Sequence, residues 1–581
     1  MLGRIRPTNA VFPDSAALYT THSMQSPIRH ALVGLLVTLI LGANLLDAAP
    51  AGSAYSGHPK LVVIVVIDQF RGDYLDRYRD EFREDGFRMF LDHGAVFSNC
   101  DYNYANTRTA PGHATLLTGA YSNGHGIIAN EWYDPDRKTS KGALEPGAVT
   151  SVWDANTKFV GTTDKGEGAA SPHNLRASTL GDELKLATQG KSRVFAISLK
   201  DRAAILPGGF SANGAFWIEK NSGAWITSDY YEAQLPGWVQ DFNGSKRKDK
   251  YWDVQWKDAA GHVLGTTASK KKDGKPTAFY DAVGSTPFAN DYEFEFARDL
   301  ITQEKLGAGP ATDLLVISLS ANDILGHQAG PDSPEMHAMA LALDAQISGF
   351  FGFLGQQIGL ANVWVALSAD HGVAPVPSVA KELRIPAAGF DSEKLKDKIN
   401  ALLSAKLAAG KTTAFLKSLD YPTAWLDDRA FTTLHLKEAD AEHAVGEALV
   451  QIGMQGYFTK SQLAAGAVPN DETGIRYLHS YSPLGGWYVL GVPAPYTIGG
   501  TSGTDHASPY HYDRHVPLAF YGLAFRTGVY RTQAEPVDLA VTLASLLGIN
   551  APSHAVGRVL TEALASSNAS NPANVSHGEH P

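Results

Sequence analysis

With 581 residues, 44% of them hydrophobic and 19% charged, the chain has the composition of a folded globular protein and exceeds the size at which one core usually stops growing. Its net charge of −11 argues against binding a nucleic-acid backbone, which asks for a basic stripe, so no nucleic-acid partner is expected. A single cysteine, Cys100, excludes an internal disulfide framework; with no cationic activator beside it in the sequence, it reads as a small packed residue.

At the N-terminus, Arg29 and His30 precede an apolar stretch from Ala31 to Leu41, and Ala49-Pro50-Ala51 offers a small-x-small cleavage site. Residues 1–51 therefore read as a signal peptide, with Met24 as an alternative start and a periplasmic or secreted mature protein beginning near Gly52. An uncleaved anchor is the rival reading, for which the stretch is short. No membrane span is expected in the mature protein.

Short, continuously apolar runs follow in order: Leu61 to Ile67, Arg193 to Leu199, Asp313 to Leu319 and Asn362 to Ser368. Each reads as a strand buried on both faces, as parallel sheets require. Val516 to Tyr521 looks similar, with Pro517 demoting it to an edge or a strand start. Phe216 to Lys220, then Asn221-Ser222-Gly223, then Ala224 to Thr227 read as a β-hairpin. Ser333-Pro334-Glu335 opens a helix running to Ile358, and Val537 to Leu547 forms another that ends at Gly548. The alternation implies an α/β fold: a doubly wound, mostly parallel sheet flanked by helices. Two inserted lobes are expected, at about residues 205–290 and 385–500. The tail from Ser566, rich in Ser, Asn and Pro, reads as disordered.

In open α/β sheets the functional crevice lies beyond the carboxyl ends of the strands. Asp68 directly follows the first run, Asp323 and His327 follow Asp313 to Leu319 after a short loop, and Asp370-His371 follows Asn362 to Ser368. Together with His506 these make six carboxylates and imidazoles, enough for two three-ligand zinc sites that each leave a position open. Two such ions roughly 3.5–4 Å apart can clamp the attacking and leaving oxygens of a displacement at phosphorus. Taken singly, Asp68 is also a plausible helix cap, Asp370-His371-Gly372 a turn, and Asp323 with His327 a solvated ion pair. Accident at several strand ends together is a poorer account. A hydroxyl for covalent chemistry comes from Thr109 or Thr107, just before a helix expected to begin after Pro111. Lys200 and Arg202, two apart as they leave a strand, are expected to point into one pocket and favour a dianionic phosphate monoester. The alternative for that pair is a solvated basic turn neutralised by Asp201.

The segments VIDQFRGDY, NTRTAPGHATLLTG, HGIIANEWYD, SLKDRAAILPGG, SLSANDILGHQAGPDS, SADHGV and TDHASPYHYDRHVPLAFYG resemble, in content and order, the alkaline phosphatase superfamily. They look most like its bacterial phosphate-irrepressible members, which use a threonine nucleophile, and the similarity spans residues 58 to 562. The resemblance implies that Asp323, His327 and His506 hold one zinc, that Asp68, Asp370 and His371 hold the other, and that Thr109 bridges them. It also implies that Lys200, Arg202 and Asn130 contact the phosphoryl group of small phosphomonoesters. Mn²⁺ or Co²⁺ suits the same donors as Zn²⁺. One departure stands out: the family usually has Gly after the last ligand, whereas Ala507 follows His506, which makes nearby His511 a competitor. The alternatives carried forward are a nucleotide pyrophosphatase or phosphodiesterase of the same superfamily and a non-catalytic periplasmic metal- or phosphate-binding protein. A sulfatase is not expected, because the nucleophile position lacks the required Cys or Ser in a Pro-x-Arg context.

Overall fold

The computed structural model describes residues 57–565, apart from 140 and 164–167; the expected signal peptide and the tail from Ser566 lie outside the described residues. A ten-stranded sheet is built from β1 (Leu61–Ile67), β2 (Ala95–Phe97), β3 (Phe159–Val160), β4 (Val194–Ser198), β5 (Gly214–Ile218), β6 (Trp225–Ser228), β7 (Asp313–Leu319), β8 (Val363–Ser368), β9 (Leu518–Tyr521) and β10 (Gly528–Tyr530). Their spatial order is β10-β2-β9-β8-β1-β7-β4-β5-β6-β3. The middle run from β8 to β5 is parallel throughout. Antiparallel β9 and β6 begin the two flanks.

Every residue of β1, β7 and β8 is buried, as their unbroken apolar sequences demand. Each large aliphatic side chain so buried contributes about 1.5–3 kcal/mol, and this locks the register. Ile67 stands beside Leu319 and Val66 beside Ser368, so the residues following all three strands emerge at one edge. Two groups of helices complete the core. One comprises α1 (Thr109–Thr118), α2 (Asp201–Gly208) and α6 (Asp538–Leu547); the other comprises α3 (Pro287–Gln303), α4 (Ala321–Ala329) and α5 (Pro334–Gln357). Ser333 caps α5 by accepting the Met336 N–H. This helix is long and apolar enough to cross a membrane by length and composition, but half of its apolar window is buried within this molecule, along a face that includes Met339, Leu343 and Ile347.

Three features refine the expectation. β9 starts immediately after Pro517 and pairs on both sides, with β8 and β2, so the proline marks a strand start within the sheet. The hairpin expected in the first lobe forms as β5 and β6, but β5 also pairs with β4, which makes the hairpin an extension of the central sheet. The second lobe is a structured cap. Its strands Leu416–Asp420, Thr423–Leu426, Tyr488–Val492 and Gly456–Thr459 lie in that order, all antiparallel. Alternation along them divides the side chains: Ala424, Leu426 and Val489 join Leu403 and Val445 of the cap's own helices, while Trp425 and Tyr488 pack with Trp132 and Trp217 of the core.

α1 is seated so closely against the end of β8 that a Cβ on Gly112 would come within 2.2 Å of the Asp370 carbonyl oxygen. Gly112→Ala is therefore expected to displace Asp370 and lower stability by about 1–3 kcal/mol, measured by urea unfolding.

Candidate active site

Asp68 follows β1 directly, and Gln69 behind it takes a left-handed φ of 63°. This turn brings the Gln69 N–H to Asp370 Oδ1 (3.0 Å) and the Gln69 side-chain amide to Asp323 Oδ1 (2.7 Å). Asp323 and His327 sit on α4, one turn apart on one face. Two groups result. Asp68, Asp370 and His371 form one, fully buried; Asp323, His327 and His506 form the other, and within each the ligand atoms lie within 4.8 Å of one another.

The donor chemistry of both groups fits metal ions. Asp68 Oδ1, Asp370 Oδ2 and His371 Nε2 are buried without a hydrogen-bond partner; His371 Nε2 lies 3.5 Å from Asp68 Oδ1 and 3.4 Å from Asp370 Oδ2, and His113 Nδ1 lies 3.3 Å from the latter oxygen. Each histidine directs Nδ1 to a backbone carbonyl: His327 to Thr504 (2.9 Å), His371 to Gly372 (2.9 Å) and His506 to Thr107 (2.6 Å). A carbonyl only accepts, so Nδ1 carries the proton and Nε2 is left with the lone pair a metal needs. His113 is different. Its two nitrogens face Thr109 O and Ser318 Oγ, so it props α1 against β7.

Lys200 joins the two groups. Its Nζ lies 2.5 Å from Asp68 Oδ2 and 2.6 Å from Asp323 Oδ2, and although burial favours the neutral amine, those two carboxylates raise its pKa. Burial pushes Asp68 well above the usual carboxylate range, reinforced by Asp323 and Asp370. Burial acts in the same sense on Asp323, but Lys200 and His327 outweigh it and hold that carboxyl well below. His506 is kept neutral by burial and by the neighbouring imidazoles of His371, stacked at 3.7 Å, and His327.

Lys200 and Arg202 line one cavity of about 320 Å³ with Asp201, Trp217 and Tyr280, but not for the strand-alternation reason expected. The chain is extended at Lys200 but enters α2 at Asp201, so the two-residue alternation of a strand does not reach Arg202. Lys200 turns to the carboxylates, while Arg202 lines, with Asn130 and Arg108, a cavity of about 720 Å³ below the cap. Asn130 Oδ1 accepts the Ala110 N–H (2.9 Å), which leaves its amide N–H groups as the donors it can offer.

Thr109 is the first residue of α1, ahead of the start after Pro111 that the sequence suggests, and is buried. Thr107 has a different task. Its hydroxyl accepts from the Ala507 and Ser508 N–H groups and donates to Ser508 O, which ties the loop before α1 to the loop carrying His506. His511 stands apart from this site, paired with Asp101 at 2.9 Å. Cys100 is buried and its thiol is pushed up by that burial and by Asp538 and Asp101. Two supporting residues had no signal in the sequence. Gln69 is revealed only by its backbone conformation, and Arg108 only by its long-range partners, the Asp420 carboxylate and the Tyr421 carbonyl in the cap.

Residues 62–413 match the family described as type I phosphodiesterase / nucleotide pyrophosphatase. Over 564 residues the chain is 32% identical to alkaline phosphatase PafA of Elizabethkingia meningoseptica, covering 93% of this chain and all of that one. The chain belongs to the alkaline phosphatase superfamily. Alkaline phosphatase PhoV of Synechococcus elongatus is also 32% identical, over 87% of this chain and 93% of its own. The solved structure of wild-type PafA superposes with a TM-score of 0.75 at 30% identity, covering 88% of this chain and 100% of that one. This α/β chain is a PafA-type member.

The departure at Ala507 acquires a physical meaning. Its φ is +82°, a conformation that favours glycine, and it is held there by the Thr107 hydroxyl. The left-handed conformation costs a residue with a Cβ about 1–2 kcal/mol, partly offset by the greater freedom glycine has when unfolded. Ala507→Gly is expected to raise unfolding stability by about 0.5–1 kcal/mol in denaturant titrations, with metal content unchanged.

Proposed function

We propose that the protein is an exported, metal-dependent phosphate monoesterase that works through a phosphothreonine at Thr109. The observation that carries this reading is the bridge from Lys200 Nζ to Asp68 and Asp323, one from each three-ligand group, with the first turn of α1 packed against Asp370. Asp68, Asp370 and His371 would hold one divalent cation, and Asp323, His327 and His506 another. Zn²⁺ suits these donors, with Mn²⁺ or Co²⁺ as chemical alternatives. When bound, the cations supply positive charge that favours the deprotonated threonine and the departing oxygen.

The residues of the chain then divide the work. Thr109 Oγ1 attacks phosphorus, the bond from phosphorus to the alcohol oxygen breaks, and the alcohol leaves with a proton from solvent. Water next cleaves the phosphothreonine, releasing inorganic phosphate and restoring the hydroxyl. Arg202, Lys200 and the Asn130 amide offset charge on the non-bridging oxygens, and the N-terminal end of α1 adds its positive dipole. The N-terminal pattern of basic, apolar and small residues supports export. N-terminal sequencing of the protein from cell fractions tests it: an intact N-terminus on protein confined to the cytoplasm would refute export.

The matched family description favours phosphodiester hydrolysis as the second reading. Relative kcat/KM on an aryl phosphate and a bis-aryl phosphate separates the two. A protein that only binds metal or phosphate would turn over neither after metal loading.

Thr109→Ala is expected to abolish acid-trapped phosphoenzyme while largely preserving metal content, with the label in the unaltered enzyme mapping to Thr109 by peptide mass. Label on Thr107 or a histidine would contradict this. Replacing Asp370 or Asp323 by Ala should lower bound metal and collapse turnover, because each group loses one of its three ligands. Lys200→Ala/Arg202→Ala, assayed at saturating metal, should lose monoesterase kcat/KM by on the order of a hundredfold or more, since each charge-assisted hydrogen bond is worth about 1.5–3 kcal/mol. Diesterase activity should fall much less, and a uniform drop would assign the pair to metal or fold support.

A further inference from the structure

A buried carboxyl outside both donor groups reaches the chain beside Lys200. Glu293 of α3 is fully buried, on a face it shares with Ala289, Phe296, Ala297 and Leu300, which are all buried and apolar. A carboxyl is costly to bury in such a stripe, so its hydrogen bonds show what it serves. Glu293 Oε1 accepts the N–H of Leu199, the residue directly before Lys200, at 2.8 Å. We infer that Glu293 is a positioning residue. It fixes the backbone from which Lys200 reaches Asp68 and Asp323 and so, given the proposed role of Lys200 at the phosphoryl group, sets how strongly the site favours a monoester over a diester.

The need for such a residue comes from where β4 stops. Up to Ser198 the strand is held by β7 on one side and β5 on the other, with Ser318 and Trp217 as its last partners. Lys200 already belongs to the entry of α2 and gives that helix no side-chain cap. Leu199 lies between, past the last ladder pairs, and Glu293 supplies the acceptor its N–H needs. Two serines extend the brace. The Lys200 N–H reaches Ser198 Oγ at 3.2 Å, and that oxygen stands 3.2 Å from the Oγ of Ser320, the residue before α4 and three before Asp323.

The carboxyl is suited to this task because it is not a rival for the ammonium. Burial pushes it well above the usual range, outweighing the Leu199 and Ser320 N–H groups and the charge of Lys200, so it acts as a neutral acceptor. Its other oxygen, Oε2, is buried without a hydrogen-bond partner among the described residues. The Lys200 side chain is itself buried, so a backbone shift at Leu199 passes along it to Nζ, 2.5 Å from Asp68 Oδ2 and 2.6 Å from Asp323 Oδ2.

The test measures kcat/KM on an aryl phosphate and a bis-aryl phosphate, with bound zinc, for full-length Glu293→Met, Glu293→Asp, Glu293→Gln and Lys200→Ala at saturating Zn²⁺. Glu293→Met removes the acceptor at similar length. Glu293→Asp draws it back by one methylene and carries the test where the methionine variant fails to fold. Each should lose about tenfold in monoesterase activity, the scale of one buried hydrogen bond, much less in diesterase activity, and no zinc. Glu293→Gln keeps a carbonyl oxygen and should restore most of the selectivity. On the Lys200→Ala background Glu293→Met should cost little more, because both changes act through one ammonium. No loss, an equal loss on both esters, a lower zinc count or fully additive effects would overturn the inference. A uniform drop in Lys200→Ala alone would remove the reading of Lys200 and this positioning role with it, and is told apart because it appears with Glu293 intact.

Discussion

Three carboxylates buried at the ends of three neighbouring parallel strands set the terms for the rest of the molecule. Removing such groups from water costs several kcal/mol each unless charge and hydrogen bonds compensate. One ammonium, that of Lys200, serves Asp68 and Asp323, while the Gln69 and His371 N–H groups serve Asp370. Oxygens of Asp68 and Asp370 still face inward without a partner. The sheet thus concentrates negative charge that its own side chains do not fully answer, which is the condition under which cations bind tightly.

The imidazoles are prepared for the same purpose by the main chain. Three loops, around Thr107, Gly372 and Thr504, each present a carbonyl to one histidine, so the basic nitrogen of every ring points inward. Thr107 does this with its carbonyl and holds the backbone after His506 with its hydroxyl. The residue two places before the proposed nucleophile therefore sets the position of a ligand on a distant part of the chain.

The strands and the inventory of donors were legible in the sequence because each apolar run ends where its donor begins. Local pattern also located the helix caps at Ser333 and Gly548. Features that depend on long-range pairing were not legible. The β5–β6 hairpin has the signature of a local hairpin within an inserted lobe, and only its pairing with β4 makes it part of the sheet. Lys200 and Arg202 do share a cavity, but the strand period assumed for them stops at the start of α2, so the helix entry and not alternation brings them together. Which of His506 and His511 joins Asp323 depends on the Thr107 contact, which spans about four hundred residues of sequence.

Arg108 stands between the tie at Thr107 and the hydroxyl of Thr109, and its guanidinium reaches out of the core to the carbonyls of Asp420 and Tyr421. Those carbonyls belong to the turn between two cap strands. The cap is consequently not an interchangeable ornament on an ancestral sheet. Shortening or replacing it would leave a buried cation without acceptors next to the proposed nucleophile, so the inserted segment and the loop before α1 are bound to change together.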